Sequence, residues 1–201
     1  MDSSCDAAWA NFLKNGMLDA ITTNDIRDDK YKEVPKCSEL YISTKTKIGY
    51  LNTSIDLSIF WDIPILNFNK QENGIIKKQI KLTLTSKKEI ETLYANIEKE
   101  SYVNLEHISL KKLPNNSFKD VRKLSIGLSN KDITRKRTKK KGAFYNCFVL
   151  IMRIFFDNAY RQVHVKVFNT GKLEIPGIKS NELFDLVINN LTNLLSGITK
   201  Q

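Results

Sequence analysis

Residues 163–168 place an aromatic ring and positive charge on one side of a predicted strand. The sequence V-H-V-K-V-F alternates between valine and a larger side chain, which is typical of a β-strand with one buried face. The valines at 163, 165 and 167 are therefore expected to face the core, and His164, Lys166 and Phe168 the other side. A ring among cations on a solvent face suits contact with nucleic acid better than it suits a core.

This strand is the middle one of three predicted between residues 145 and 180. The apolar run F-V-L-I-M-R-I precedes it across an F-D-N-A turn, and N-T-G then reverses the chain into a short strand that ends at Pro-Gly. These signals predict an antiparallel meander. Ser180 caps a following helix whose apolar stripe needs a sheet face to cover. The predicted fold class is α+β, an antiparallel curved sheet with helices on one face and the other face open.

Two blocks of the chain resemble the TATA-box-binding protein family, in the divergent form of large DNA viruses. The first block is S-E-L-Y-I-S-T-K-T-K-I-G-Y-L with I-D-L-S-I-F-W, and the second runs from F-V-L-I-M-R-I through V-F-N-T-G-K-L-E-I-P-G-I-K-S. Together they correspond to one half-repeat of the family's saddle-shaped sheet. The resemblance implies a transcription initiation factor that binds duplex promoter DNA in the minor groove, with no cofactor.

The resemblance also implies which residues contact DNA. Arg153 in I-M-R-I, Lys172 in G-K and Lys179 in I-K-S match family cations that contact the DNA backbone. Phe168 matches an aromatic that the family inserts between base steps at a kink. Lys166 falls at a position that faces the groove.

The chain departs from the family at its second wedge position, which Cys147 occupies. The neighbouring Phe148 joins the DNA-contacting set only if a bulge turns its ring away from the helices. Glu174 and Pro176 also occupy groove-facing positions, and a carboxylate there repels phosphates. Weaker bending than the family norm is therefore expected. The missing second half-repeat would come from a homodimer, from a partner subunit or from the rest of a longer chain of which this is a part, and the segment inserted between the two blocks is either a subdomain of its own or a diverged remnant of another half-repeat.

The remaining elements are predicted from local signals. An acidic arm at 1–34, with a short helix near 6–14, precedes the main domain at 35–201, whose first strand is expected at about 40–51. Thr53 and Ser54 would cap a helix that ends at Pro64, before a short strand at 65–68.

An insertion of α/β type is expected at about 70–142. Ser86 and Glu89 form a capping box for its helix, and its strands are expected near 76–84, 103–110 and 121–128. On the first of these strands Lys78 interrupts an otherwise apolar face.

Positive charge is concentrated in this insertion. The chain has a net charge of +10, and residues 111–141 alone hold twelve Lys/Arg against two Asp, whereas the first forty residues hold five basic against eight acidic side chains. Such asymmetry indicates a polyanionic partner, with a solvated linker as the plain alternative. An exposed basic loop supplies further candidate DNA-binding residues: Arg135, Lys136, Arg137, Lys139, Lys140 and Lys141.

Enzyme signatures are not found in the sequence. His107 and His164 stand alone, and there is no P-loop, G-x-G-x-x-G, G-x-S-x-G or H-E-x-x-H motif. The odd number of widely spaced cysteines favours a reducing compartment. No apolar run approaches the ~18 residues of a membrane span. We therefore expect a non-enzymatic intracellular protein, in a viral factory in the cytoplasm or in the host nucleus, with packaging in the virion as a further option.

Three functions remain open from the sequence. The first is the DNA-binding initiation factor, with RNA polymerase or other initiation factors as partners. The second is a protein-interaction module that recruits the transcription machinery and has lost DNA binding. The third is a sequence-indifferent binder of single strands or RNA that uses the basic loop.

Overall fold

The computed structural model describes residues 3–15, 39–114, 117–134 and 144–199. These residues fall into two units that divide between Tyr41 and Ile42. In the first unit, helix α1 (Ser3–Asn15) spans the short helix expected in the acidic arm. The rings of Trp9 and Phe12 stack on it, with centroids 5.5 Å apart.

The second unit is built on one antiparallel sheet, which has seven strands among the described residues. The strands are β1 (Thr46–Tyr50), β2 (Gly74–Leu84), β3 (Val103–Lys112), β4 (Phe118–Gly127), β5 (Cys147–Phe156), β6 (Ala159–Phe168) and β7 (Lys172–Pro176). The helices are α2 (Lys87–Ile97), α3 (Asn130–Thr134) and α4 (Asn181–Thr199), with a 3-10 helix at Leu57–Phe60. The strand order is β1-β7-β6-β5-β2-β4-β3. The predicted α+β fold with an open antiparallel sheet is confirmed.

The two blocks on either side of the expected insertion meet in this sheet, because β1 pairs with β7 along its whole length. The segment expected as an insertion at about 70–142 belongs to the same sheet. Its strand β2 pairs with β5 on one side and with β4 on the other. The expected insertion therefore extends the same sheet by three strands.

A similar order of elements occurs twice in the sheet. β2 leads through α2 to the β3–β4 hairpin, whose last strand returns to pair with β2. β1 leads through the 3-10 helix and, after the intervening strands, to the β5–β6–β7 meander, whose last strand returns to pair with β1.

The core fills one face of the sheet. The even-numbered side chains of β5 from Phe148 to Ile154 lie in it, and so do the valines at 163, 165 and 167, as predicted. Helices α2 and α4 cover this face through residues such as Leu93 and Leu191, which are 3% and 0% exposed. We call the opposite face of the sheet the open face.

The predicted helix from Thr53 to Pro64 and the predicted strand at 65–68 were wrong. The described chain has only the 3-10 helix there, capped by Asp56, whose Oδ1 accepts a hydrogen bond from Ser58 N at 2.9 Å. Tertiary contacts determine the path of this segment: the buried ammonium of Lys78 in β2 donates hydrogen bonds to the carbonyl oxygens of Trp61 and Ile63. A buried charge requires acceptors of this kind, and the local sequence does not report them.

The connections follow their local chemistry. The turn between β5 and β6 has positive φ (53°) at both Asp157 and Asn158, the geometry of a two-residue type I′ hairpin. Gly171, at φ +81°, ends the β6–β7 turn, and a Cβ there would overlap the carbonyl oxygen of Thr53. Ser86 accepts from Glu89 N at 3.2 Å and Ser180 from Leu183 N at 3.0 Å, so both predicted caps are confirmed.

Helix α3 contradicts the expectation that helices lie on one face only. Its Asp132 pairs with Lys77 at 2.7 Å, and Lys77 faces the open side because it lies opposite Ile151 in the sheet. The backbone N–H of Asn130 also donates to Gln162 Oε1 at 3.1 Å. The short helix therefore covers one part of the open face, where the sequence had suggested an exposed loop.

The Lys77–Asp132 ion pair, which anchors α3 to the sheet, should be sensitive to acid. Burial alone would raise the pKa of the Asp132 carboxyl, but hydrogen bonds from Lys77 and Ser129 hold that pKa well below its usual range. A carboxyl whose pKa is lowered by folding stabilises the fold above its unfolded pKa of about 4 and loses this contribution as the pH falls further. Between pH 7 and 3, the free energy of unfolding should fall more steeply for the wild type than for Asp132→Asn.

Chemical denaturation at each pH measures both effects of this substitution. At pH 7, Asp132→Asn should cost about 3 kcal/mol, because the buried ammonium of Lys77 loses its ion pair with this carboxylate. The double variant Lys77→Met/Asp132→Leu removes both charges and should recover most of the loss. Equal pH slopes for the wild type and Asp132→Asn would contradict this account of the anchor.

Candidate nucleic-acid interface

Three aromatic rings and three lysines form a cluster on the open face, which we call the aromatic–lysine patch. Its members are Phe144, Tyr145, Phe168, Lys81, Lys166 and Lys172. Each ring has one ammonium group over its face. The Nζ-to-centroid distances are 3.4 Å for the Lys81–Tyr145 pair, 4.1 Å for Lys166–Phe144 and 5.4 Å for Lys172–Phe168. Cations within about 6 Å of a ring centroid are attracted to the ring, so each of these lysines is held near its aromatic partner.

Strand register positions these side chains. Lys166 and Phe168 lie opposite Val149 and Cys147, on the side of the sheet away from the helices. Phe144 and Tyr145 precede β5, and their segment is held where Asn169 N donates to the carbonyl oxygen of Asn146 at 3.0 Å. Asn146 has φ 58°, a left-handed conformation that asparagine tolerates better than most residues.

Glu174 lies within the patch, bracketed by two of its lysines. The distances from its carboxylate oxygens are 2.8 Å to Lys172 Nζ and 3.0 Å to Lys166 Nζ. The pKa of the Glu174 carboxyl is lowered, first by the hydrogen bond from Lys172 and then by that from Lys166. The three charges together leave one net positive charge. The repulsion expected from a lone carboxylate facing phosphates is therefore offset.

Positive potential extends from the patch toward β3 and β4. The pKa of the Tyr145 hydroxyl is lowered, first by its hydrogen bond with Lys81 and further by the charges of Lys119 and Lys111. Lys119 and Lys111 lie opposite each other in the β3–β4 pair. Three lysines thus act on one exposed tyrosine.

Two exposed apolar side chains extend the patch to the sheet edge. Ile48 and Tyr50 of β1 lie opposite Glu174 and Lys172 on the same face, and they are 52% and 72% exposed. Neither residue was among the contacts predicted from the sequence. Their alternation in T-K-I-G-Y was the available signal, but the side of the strand they occupy follows only from its pairing with β7.

The structure brings three of the predicted DNA-contacting residues together. Lys166, Phe168 and Lys172 are all partly exposed and all belong to the aromatic–lysine patch. Cys147, at the second wedge position, is 3% exposed and lies opposite Phe168. The open face therefore presents one wedge candidate on these two strands.

Arg153 does not reach out toward a ligand backbone as predicted. It is 6% exposed, and its guanidinium donates to the carbonyl oxygens of Phe68, at 2.8 Å, and of Lys70. It also lies 5.0 Å from the centroid of the Phe68 ring. Its charge holds the 68–70 loop against the sheet, so a role in phosphate contact is corrected to a structural one.

Phe148 is also removed from the predicted set. No bulge turns it, and its ring is 0% exposed in the core, 6.2 Å from the ring of Phe60. Lys179 is exposed in the connection to α4, next to Ile178, which is buried in the core. It lies outside the patch, and in the described structure it makes no hydrogen bond, ion pair or ring contact with a patch residue.

The predicted basic-loop residues, Arg135, Lys136, Arg137, Lys139, Lys140 and Lys141, lie outside the described residues. The described residues on either side of them lie on the open face. On one side, Thr134 ends α3, which is hydrogen-bonded to Lys77 and Gln162. On the other side, the ring of Phe144 lies under the ammonium group of Lys166.

Among the described residues, no group of three or more His, Cys, Asp or Glu side chains is arranged to hold a metal ion. His164 lies on the open face opposite Ile151, and His107 lies on β3 beside Asp120, with 3.1 Å between Nε2 and Oδ1. No helix in the described part of the chain is long and apolar enough to cross a membrane.

Comparisons with known proteins found no matching family model, no matching curated protein and no matching solved structure. The resemblance to TATA-box-binding proteins therefore stays a hypothesis carried by the sequence blocks themselves.

Proposed function

We propose that the protein binds duplex DNA through the open face and acts as a transcription initiation factor of the TATA-binding type. The observation that carries the proposal is the aromatic–lysine patch, in which three rings and three ammonium groups occupy a sheet face that α2 and α4 leave uncovered. The resemblance of the two sequence blocks supports the initiation role.

A face of this composition supplies both kinds of contact that DNA binding needs. Ammonium groups at Lys166 and Lys172 neutralise phosphates, which fixes the position of the duplex. The half-buried ring of Phe168 supplies an apolar surface for a base step in a widened minor groove. The charge of Glu174 is offset by the two lysines that bracket it, and the trio keeps one net positive charge toward the duplex.

The proposed complex bends DNA less than a saddle with paired wedges would. Phe148 lies in the core and Arg153 is engaged with backbone carbonyls, so neither assists the insertion of Phe168. One wedge unstacks one step, and the deformation is correspondingly smaller. The sequence preference is expected to come from how easily that step opens.

A second candidate function is favoured by the sheet edge. Ile48 and Tyr50 present exposed apolar surface on β1, the outermost strand on its side of the sheet. An edge strand with such side chains suits the addition of a strand from another protein. In this case the protein recruits a polymerase subunit or another initiation factor, and DNA affinity does not depend on the patch.

A mobility-shift assay with three ligands separates the candidates. The proposal expects A/T-rich duplex to bind more tightly than G/C-rich duplex, and both more tightly than single strand. Equal binding of all three ligands would indicate the sequence-indifferent binder. If none of the three binds, the recruitment module is left, and capture of polymerase subunits by wild type and Tyr50→Ser tests it.

Phe168→Ala should weaken binding to A/T-rich duplex by about tenfold, the lower end of what a ring–base contact contributes. It should also reduce any bend, while the dependence of affinity on salt stays unchanged because no charge is removed. Affinity and bending are measured over a salt series, after denaturation confirms that the variant is folded. Phe168→Leu keeps an apolar side chain and should lose less. Wild-type affinity and bend in Phe168→Ala would rule out the wedge.

Charge changes within the patch should act in opposite directions. Lys166→Gln or Lys172→Gln should each lower the slope of log affinity against log salt by about one unit, since one phosphate contact is lost. Glu174→Gln should raise affinity, because it frees both lysines for phosphates. Lys87→Gln on α2 removes the same charge on the covered face and serves as the control. If the control changes affinity as much as the patch variants do, the proposed interface is wrong.

A further inference from the structure

A second feature of the open face is a polar pocket at the end away from the aromatic–lysine patch. It has a volume of about 300 Å³ and lies between the 68–71 loop, the start of α3 and the open-face side of β5 and β6. Four side-chain amides line it, from Asn69, Gln71, Asn130 and Gln162, together with Arg153 and the rings of Phe68 and Tyr160. We call it the amide pocket.

Most of the donor and acceptor groups of these amides are not hydrogen-bonded to the described part of the protein. Within the described residues, the side chains of Asn69, Gln71 and Asn130 make no hydrogen bond to the protein, although each carries both donors and an acceptor. Gln162 uses its Oε1 to accept from Asn130 N, which leaves its NH2 group as a donor. Three unengaged amides around one cavity are an arrangement that a polar ligand with alternating donors and acceptors would satisfy.

The walls of the pocket are held in place. The Tyr160 hydroxyl donates to the carbonyl oxygen of Gln71, and its ring packs edge-on against Phe155 with centroids 5.1 Å apart. On the opposite side of the pocket, the Arg153 guanidinium donates to the carbonyl oxygen of Phe68 and lies over the Phe68 ring. The rings of Phe68 and Tyr160 offer flat surfaces on which a planar ligand can stack.

We propose that the amide pocket receives a single unstacked nucleobase. A nucleobase is planar, and its edges alternate donors and acceptors that Asn and Gln amides match. Proteins that take up an extruded base read it by this combination of edge hydrogen bonds and stacking. A volume of about 300 Å³ lies at the lower end of small-molecule sites, which suits one base better than a larger ligand.

Strand β6 connects the pocket with the patch. Gln162 and Phe168 lie on the same side of this strand, six residues apart, a span of about 20 Å at ~3.3 Å per residue. This distance corresponds to about six base steps of a duplex. A nucleic acid that lies along β6 can therefore reach both. The inference rests on the proposed function, because a bound nucleic acid supplies the nucleobase. A free nucleotide is the other source of a nucleobase for this pocket.

The test compares two duplexes that differ by one unpaired base. One carries a single bulged 2-aminopurine, and the other has the same sequence fully paired. The wild type should bind the bulged duplex about tenfold more tightly, as expected for one added stacking contact, and the fluorescence of the bulged base should change on binding. The triple variant Asn69→Ala/Gln71→Ala/Asn130→Ala should abolish this preference and bind the paired duplex as the wild type does. All three residues are exposed, so the fold should tolerate the change.

Controls separate the pocket from the patch and the base from the free nucleotide. Asn193→Ala on α4 removes an exposed amide from the covered side and should leave the preference intact. Titration with AMP, GMP, CMP and TMP shows whether a mononucleotide occupies the pocket by itself. A preference that is absent in the wild type, or that persists in the triple variant, would overturn the inference. If no duplex binds, the proposed function fails separately: mononucleotide binding that the triple variant loses would then support the pocket, and no mononucleotide binding would overturn it.

Discussion

The two-residue period of β5 and β6 is the constraint on which the rest of the molecule depends. Because the side chains from Phe148 to Ile154 at even positions are buried against the helices, the odd positions must face the opposite side. A shift by one residue would expose the whole apolar set and bury Lys166. The pairing of Cys147 with Phe168, and of every residue pair along the hairpin up to Phe156 with Ala159, fixes this choice. The composition of the open face follows from it.

What the open face carries is a balance of charge and apolar surface. Its acidic groups are engaged with lysines: Glu174 with Lys166 and Lys172, and Asp132 with Lys77. Its rings lie under ammonium groups. Such a face keeps its lysines ordered and close to the surface, so a polyanion that binds there meets side chains that are already positioned, and less conformational entropy is lost on binding. The amide pocket lies on the same face and adds donors and acceptors that carry no net charge.

Local patterns predicted the elements whose causes are local. The V-H-V-K-V-F alternation located β6 and its two faces, and Ser86 with Glu89 located α2. The failures have distant causes. Arg153 matched a phosphate-contacting position by sequence, but its guanidinium is engaged by carbonyl oxygens 83 and 85 residues earlier in the chain. No periodicity or motif reports such a contact. The amide pocket could likewise not be predicted from the sequence, since its residues come from four separate segments.

Lysine footprinting with an acylating reagent, in the presence and absence of A/T-rich duplex, tests the central claim most directly. The chain carries reactive amines on both sides of the sheet, so each experiment contains its own control. If the open face is the interface, Lys81, Lys166 and Lys172 become protected by the duplex, whereas the exposed Lys87 and Lys88 on α2 react as in the free protein. Unchanged reactivity of the open-face lysines while the duplex is bound, or protection of α2 instead, would contradict the account.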